Sequence, residues 1–295
     1  VKAHMRIRTI LLQRSSVKSL TFLGDMFDGV QCPCILLQLI ATGKPLSTAG
    51  MMIEDRICTY TIAMERTVVP ENFSFRMTDE EYRVLEKIKN SIPVCYLADH
   101  ADFALGIVTG NNKKFLSAEK TENSEMVLKG TDICKYHINP VKQYLRFEPE
   151  QFQQVAPLEI YRAPEKLLYR FISNQLVVAY DDRQMLSLNS CNIVIPKIEG
   201  MQIKYILAIL NSSVSQFVYQ KEFHSIKVLR AHMEHIPIPR VGKAIQNEII
   251  AMTEPLICGM GKEAAETCQK RLDCRIMDLF RLSAEEQWVI RHALH

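Results

Sequence analysis

The spacing of apolar and polar positions divides the chain into a strand-rich front, a long mixed centre and a helical end. At the front, Arg6 to Leu20 has helical spacing, with Ser15-Ser16-Val17 as the loop that ends the helix, and Ser19 to Phe27 then reads as a short strand. Asp28-Gly29 marks a tight turn into a second strand. Ile35 to Ile40 is so continuously apolar that both faces of that strand are expected to be covered. Arg56 to Arg66 alternates as a further strand. Thr78 with Glu81 forms a capping box that opens a helix through Asn90, with Tyr82, Leu85 and Ile88 on its apolar side.

In the centre, Phe103 to Val108 and Phe115-Leu116 read as strands joined by a polar tip. Residues 176–182 and 189–196 form two more strands around the connector Asp181-Asp182-Arg183-Gln184. Ile203 to Tyr219 has helical spacing interrupted at Asn211-Ser212-Ser213, and Ile236-Pro237-Ile238-Pro239 reads as an edge strand. Beyond it, Ala244–Cys258 and Lys262–Leu282 are amphipathic helices, and Ser283 caps a last helix carrying Trp288. The expected class is mixed α+β in four segments: 1–66, a linker and helix over 67–100, a β-rich domain over 101–240, and a helical segment over 241–295, with a dimerising or spacing role as the alternative for the last.

Composition narrows the chemistry. The 295 residues are 47% hydrophobic, enough for one large or two ordinary cores, and the net charge of +3 requires any nucleic-acid contact to rest on local clusters. Nine cysteines without a C-x-x-C pair argue for reduced thiols in a cytoplasm and against a disulfide framework or a zinc ribbon. Cys32-Pro33-Cys34 lacks partners at ligand spacing, and His232 with His235 is not an i, i+4 pair, so no metal site is expected. No apolar run reaches the roughly 20 residues that span a bilayer. The opening at Val1, with a helix already under way, reads as a chain cut from something longer.

Three polar loops remain as candidates. Thr109-Gly110-Asn111-Asn112-Lys113-Lys114 combines amides, which pair with adenine edges, and ammonium groups, which meet guanine or phosphate; taken alone, the same residues are ordinary turn chemistry. Arg162, Lys166 and Arg170 place three cations within nine residues. The third loop, residues 221–230, carries Phe223, His224, Lys227 and Arg230. No spacing fits a nucleophile triad, a metal cluster or a phosphate loop.

Ordered motifs give these loops a context. Gly106 to Phe115 reads G-I-x-T-G-x-N-x-x-F, Gly130 to Tyr136 reads G-x-D-I-x-x-Y, and Tyr144 to Phe147 supplies a strand. Arg162 to Arg170 gives R-x-P-x-K-x-x-x-R, Leu210 to Ser212 gives L-N-S, and a basic loop then ends at I-P-I-P. Over residues 101 to 239 this order resembles the TaqI-like C-terminal specificity domain of type II (IIG, Eco57I-like) restriction–modification N6-adenine DNA methyltransferases. Residues 1 to 66 resemble the strands that end the catalytic domain of that family.

The resemblance implies sequence-specific recognition of double-stranded DNA, with S-adenosylmethionine serving the parent protein and a catalytic half of the same protein as partner. Residues 1–295 contain no N-P-P-Y or D-P-P-Y tetrapeptide and no Gly-rich strand–turn–helix, so no catalytic, cofactor or metal residue is expected, and whether the parent also carries an endonuclease stays open. The DNA-binding candidates are Thr109, Asn111, Asn112, Lys113, Lys114, Arg162, Lys166, Arg183, His224, Lys227 and Arg230. Arg162 and Lys166 lean to phosphate and the Asn pair to bases. The rival reading is a protein–protein docking subunit that assembles with a separate methylase.

Overall fold

The computed structural model describes residues 4–30, 32–56, 58–70, 74–223 and 225–294. The chain divides into two compact units, Val1–Val84 and Leu85–His295. The class is α+β, as the spacing predicts.

The first unit opens with α1 (Met5–Arg14) and β1 (Ser15–Asp25), followed by β2 (Pro33–Ala41), β3 (Met52–Glu54) and β4 (Thr59–Thr61) in one sheet of order β2-β1-β3-β4. β1 and β3 are parallel, and the other pairs are antiparallel. The strand begins at Ser15, where the loop was expected, and so precedes the expected strand start at Ser19. Ser15 and Val17 are already buried, and the Ser15 hydroxyl donates to the Leu11 carbonyl, closing the helix and starting the strand in one step. The stretch 56–66 forms a strand only at Thr59–Thr61. Val17, Leu20, Met51, Ile53, Ile62 and Phe75 form the core of this unit.

The expectation for Ile35 to Ile40 is overturned. β2 is an edge strand, no residue in it is buried, and Ile35, Leu36, Leu39 and Ile40 are among the exposed large hydrophobic side chains. An apolar run says that a strand suits burial on both faces, but not what will cover it. Near the end of the unit the buried Arg66 guanidinium pairs with Asp79 at 2.6 Å, and Thr78 and Glu81 form the expected capping box of α2 (Asp79–Asn90).

In the second unit, β5 (Val94–Cys95), β6 (Ala101–Ala104), α3 (Asn112–Phe115), β7 (Leu116–Ser117), β8 (Ser124–Leu128), β9 (Tyr144–Arg146), α4 (Leu158–Tyr161), β10 (Lys166–Arg170), β11 (Val178–Asp181), β12 (Leu186–Ser187) and β13 (Cys191–Pro196) lead to the helical half. There follow α5 (Ile203–Asn211), α6 (Ser213–Phe223), α7 (Arg230–Met233), β14 (Ile238–Pro239), α8 (Lys243–Cys258), α9 (Lys262–Leu279) and α10 (Ala284–Ala293). Two four-stranded sheets, β11-β10-β13-β6 and β12-β8-β9-β7, share a core in which Leu168, Ala179, Cys191 and Ile193 of one meet Val127, Leu128, Leu145 and Leu186 of the other. β14 pairs with β5.

The motif residues are the joints of this scaffold. A Cβ at Gly106 would lie 2.1 Å from the Leu188 carbonyl oxygen, and one at Gly130 would lie 2.4 Å from that of Ser190, so only glycine fits at either place. The Arg170 guanidinium donates to the carbonyls of Gly130 and Ile133 at 2.8 and 2.7 Å, tying the G-x-D-I element to β10. Asn211, fully buried, accepts from the Val178 N–H at 3.0 Å and donates to its carbonyl at 2.8 Å, so its side chain completes the β11 edge beside the Tyr136 backbone, which bridges to Ala179. The expected helix break follows from this: Ser212 receives the Ser215 N–H, and Asp273 of α9 accepts from the Ser213 N–H and hydroxyl at 2.9 and 2.7 Å. The capping box at Ser283 and Glu286 also forms.

Candidate nucleic-acid interface

The first polar loop is a helical turn rather than the expected hairpin tip. Gly110 takes a positive φ of 76°, and the Asn111 side chain then caps α3 by accepting from the Lys114 N–H at 3.3 Å. Thr109 is buried, and its hydroxyl donates to Asn112 Oδ1 at 2.6 Å. The oxygens of both amides are therefore engaged within the turn, which sets the side chains in place before any partner arrives.

The turn carries Lys113 on its exposed surface, without an ion pair among the described residues, and Lys114, whose Nζ donates to Gln151 Oε1 at 2.6 Å. Phe115 buries beneath them, edge-on to Phe152 at 5.2 Å, and Phe147 packs against Phe152 in turn. Lys114 Nζ lies 4.9 Å and the Arg146 guanidinium 5.8 Å from the Phe115 ring centre. Arg146 was not singled out by sequence reasoning. Its signal was available: in β9 the flanking Leu145 is fully buried, so alternation turns Arg146 outward. Its exposed ion pair with Glu148 contributes little stability in solvent, about 0–1 kcal/mol, and a phosphate can displace the carboxylate.

Arg162 stands at the other edge of the same sheet. It pairs with Glu125 of β8 at 2.6 Å and donates to the Gln184 carbonyl at 2.8 Å, so it braces the tip before β12. Arg183 is exposed on that tip. Thus one small sheet holds Lys113, Lys114 and Arg146 near β7 and β9, and Arg162 with Arg183 near β8 and β12.

Lys166 must be withdrawn from the candidates. Its side chain and that of Asp181 are both 0% exposed and ion-paired at 2.6 Å, and its Nζ also donates to the Tyr161 carbonyl at 2.6 Å. Burial lowers the Lys166 ammonium's pKa below the ordinary lysine value, opposed by the Asp181 charge beside it. Asp181 in turn accepts from the N–H groups of Arg183 and Met185, so the pair shapes the 181–185 tip instead of touching a ligand.

The third loop hangs on the other sheet. His224 lies outside the described residues. Lys227 and Arg230 are exposed; Arg230 pairs with Glu234 at 2.7 Å, and its guanidinium lies 5.1 Å from the Phe103 ring of β6. Behind the loop, His232 stacks on Phe223 at 4.4 Å and accepts the Leu229 N–H on Nδ1 at 3.2 Å. Burial pushes His232 down to about 4, against a weaker opposing hydrogen bond with the Lys227 backbone, so at neutral pH the ring is uncharged and able to accept. Among the described residues no group of three His, Cys, Asp or Glu side chains could hold a metal, and no helix is long and apolar enough to cross a membrane.

The comparisons agree with the motif reading. Residues 125–238 match the TaqI-like C-terminal specificity domain family, a stretch that contains the G-x-D-I-x-x-Y, R-x-P-x-K and L-N-S elements. No curated protein matches the sequence. Among solved structures, the type IIL restriction–modification enzyme MmeI in complex with DNA resembles it with a TM-score of 0.56 at 10% identity, over 97% of this chain and 48% of that one. The type IIG restriction endonuclease BpuSI has a TM-score of 0.47 at 11% identity, over 99% of this chain and 44% of that one. The HsdS subunit from Thermoanaerobacter tengcongensis has a TM-score of 0.38 at 14% identity, over 73% and 50%. The chain spans about half the length of these structures, and at such identity the MmeI likeness is one of fold.

Proposed function

We propose that this chain, whose residues 125–238 match a restriction–modification specificity domain, is the part of an adenine-N6 DNA methyltransferase that selects the target sequence in duplex DNA. The observation that carries the reading is the pair of cations, Lys114 and Arg146, over the Phe115 ring, with the exposed Lys113 on the same turn, on the same compact unit as that match. These cations would hold phosphates and fix register. The amides of Asn111 and Asn112, set by the turn, would meet base edges, and Arg162 with Arg183 would extend the contact along the sheet. The third loop would add Lys227 and Arg230. The protein would act in the cytoplasm.

The chemistry would belong to a catalytic half that extrudes the adenine from the stack and holds S-adenosylmethionine. The residues present do not fit that cofactor, because among the described residues of the first unit no strand leads through a Gly-rich turn directly into a helix. What the first unit does offer is β2, an apolar edge strand with free backbone groups, onto which the sheet of the catalytic half would add. The same strand would serve a separately encoded methylase, so the docking-subunit reading differs in covalent connection and not in surface.

Enrichment of bound duplexes from a random library tests the proposal. A short, constant sequence should emerge within a few rounds; equal retention of all sequences would overturn it.

A further inference from the structure

One surface feature of the second unit is left unused by the contacts proposed above. The turn between β10 and β11 and the loop before α7 are joined by a backbone ladder: Val228 N–H donates to the Phe171 carbonyl at 2.8 Å and Ser173 N–H to the Ile226 carbonyl at 2.8 Å, with Ile172 paired to Lys227 between them. That pattern makes Ile172 and Lys227 a non-hydrogen-bonded antiparallel pair, whose Cα atoms approach to about 4.5 Å and whose side chains rise side by side on one face. Leu229, two residues on, shares the face of Lys227. Ile172 is 60% exposed and Leu229 42% exposed, while the intervening Val228 turns inward and is buried.

This apolar rung is held rigidly. The Ser225 hydroxyl donates to the Lys227 carbonyl at 2.9 Å, the Tyr219 hydroxyl donates to the Ser225 carbonyl at 2.8 Å, and His232 fixes the Leu229 N–H from behind. A braced ladder that exposes large aliphatic side chains, Ile172 and Leu229 beside Lys227 and the neighbouring Ile226 at 60%, is costly in water and is prepared for a partner. The charge around it selects that partner: residues 171–175 and 225–230 contain no acidic residue and two cations, Lys227 and Arg230. Three exposed aliphatic side chains, Ile172, Ile226 and Leu229, are also far fewer than the roughly 20–30 residues a side of a standard protein interface.

We propose that Ile172 and Leu229 form a wedge that enters a base step of bound duplex DNA from the minor groove, with Lys227 on a flanking phosphate. Aliphatic side chains inserted in this way unstack a step and bend the duplex, which makes a site selective for easily deformed steps at positions no polar group reads. The inference rests on the recognition reading and adds a second, shape-dependent source of selectivity to it.

The test uses the full chain and an enriched duplex carrying 2-aminopurine at successive positions, with end-labelled dyes reporting the bend. The unaltered chain should raise fluorescence at one step and shorten the end-to-end distance. The variant I172A/L229A should lose both signals and bind about tenfold more weakly, with an unchanged salt slope and melting temperature. The variant I172M/L229M should keep both signals. Salt-dependent binding without an unstacked step, or equal unstacking by the alanine variant, would overturn the wedge and leave the recognition reading standing. Absence of any salt-dependent binding would overturn the recognition reading and the wedge with it.

Discussion

Lys113 and Lys166 are the same residue type, sit in the same unit and were expected to do the same work, yet they occupy opposite environments. Lys113 stands exposed on a four-residue helical turn; Lys166 is 0% exposed and locked to Asp181. The difference separates cations that hold the fold from cations free to meet a partner. Motif residues such as Gly106, Gly130, Lys166 and Asn211 are joints between strands, whereas the cations that can reach a polyanion stand on short turns and on an outward strand position.

The sharpest way to break this contrast is to remove one partner of the buried pair. K166M leaves the Asp181 charge without its ammonium partner in the interior and should lower unfolding stability by about 3–5 kcal/mol, read from urea denaturation. Neutralising the acid as well in K166M/D181N, whose amide oxygen still accepts from the 183–185 backbone, should recover part of that loss; no recovery would mean that the unpaired charge is not the cause. Next, G130A forces a Cβ to within 2.4 Å of a backbone carbonyl oxygen and should lose about 1–3 kcal/mol. N211A leaves the Val178 N–H without its partner, while the Val178 carbonyl keeps the Tyr136 N–H at 2.7 Å, and should lose a similar or smaller amount, about 1–3 kcal/mol, with amide exchange at Val178 accelerated.

A pH experiment sharpens the comparison at the third loop. Because His232 is depressed from 6.5 to about 4 in the folded chain, the unfolded state binds more protons between those values. The contribution of the neutral ring is therefore complete above about 6.5 and fades as pH falls towards 4. The Leu229 amide, which donates to Nδ1, should lose protection from exchange over that window, after correction for its intrinsic rate. An H232F variant should remove the pH dependence; if the loss persists in H232F, another group is responsible.

Much of the second unit was legible in the sequence because its signals are local. The capping box at Ser283 and the helix break at Asn211-Ser212-Ser213 each depend on residues within a few positions of one another, as does the capping box at Thr78 in the first unit. The burial of Lys166 was not legible. It depends on the register that sets Lys166 opposite Asp181 across β10 and β11, fifteen residues apart, and a lysine near a turn carries no mark of that pairing. The exposure of β2 was illegible for a different reason: hydrophobic content reports what a strand tolerates, while its position at a sheet edge is a property of its neighbours.

The smallest structural perturbation carries the most direct test of the central claim. The triple variant K113A/K114A/R146A removes only exposed groups, so its melting temperature should match that of the unaltered chain. In duplex binding measured across a salt series, each phosphate contact contributes about 0.9 to the slope of log affinity against log salt. The account predicts a steep slope for the unaltered chain and a slope shallower by about two to three for the variant. Equal slopes for the two would contradict the assignment of these cations to the DNA-binding face.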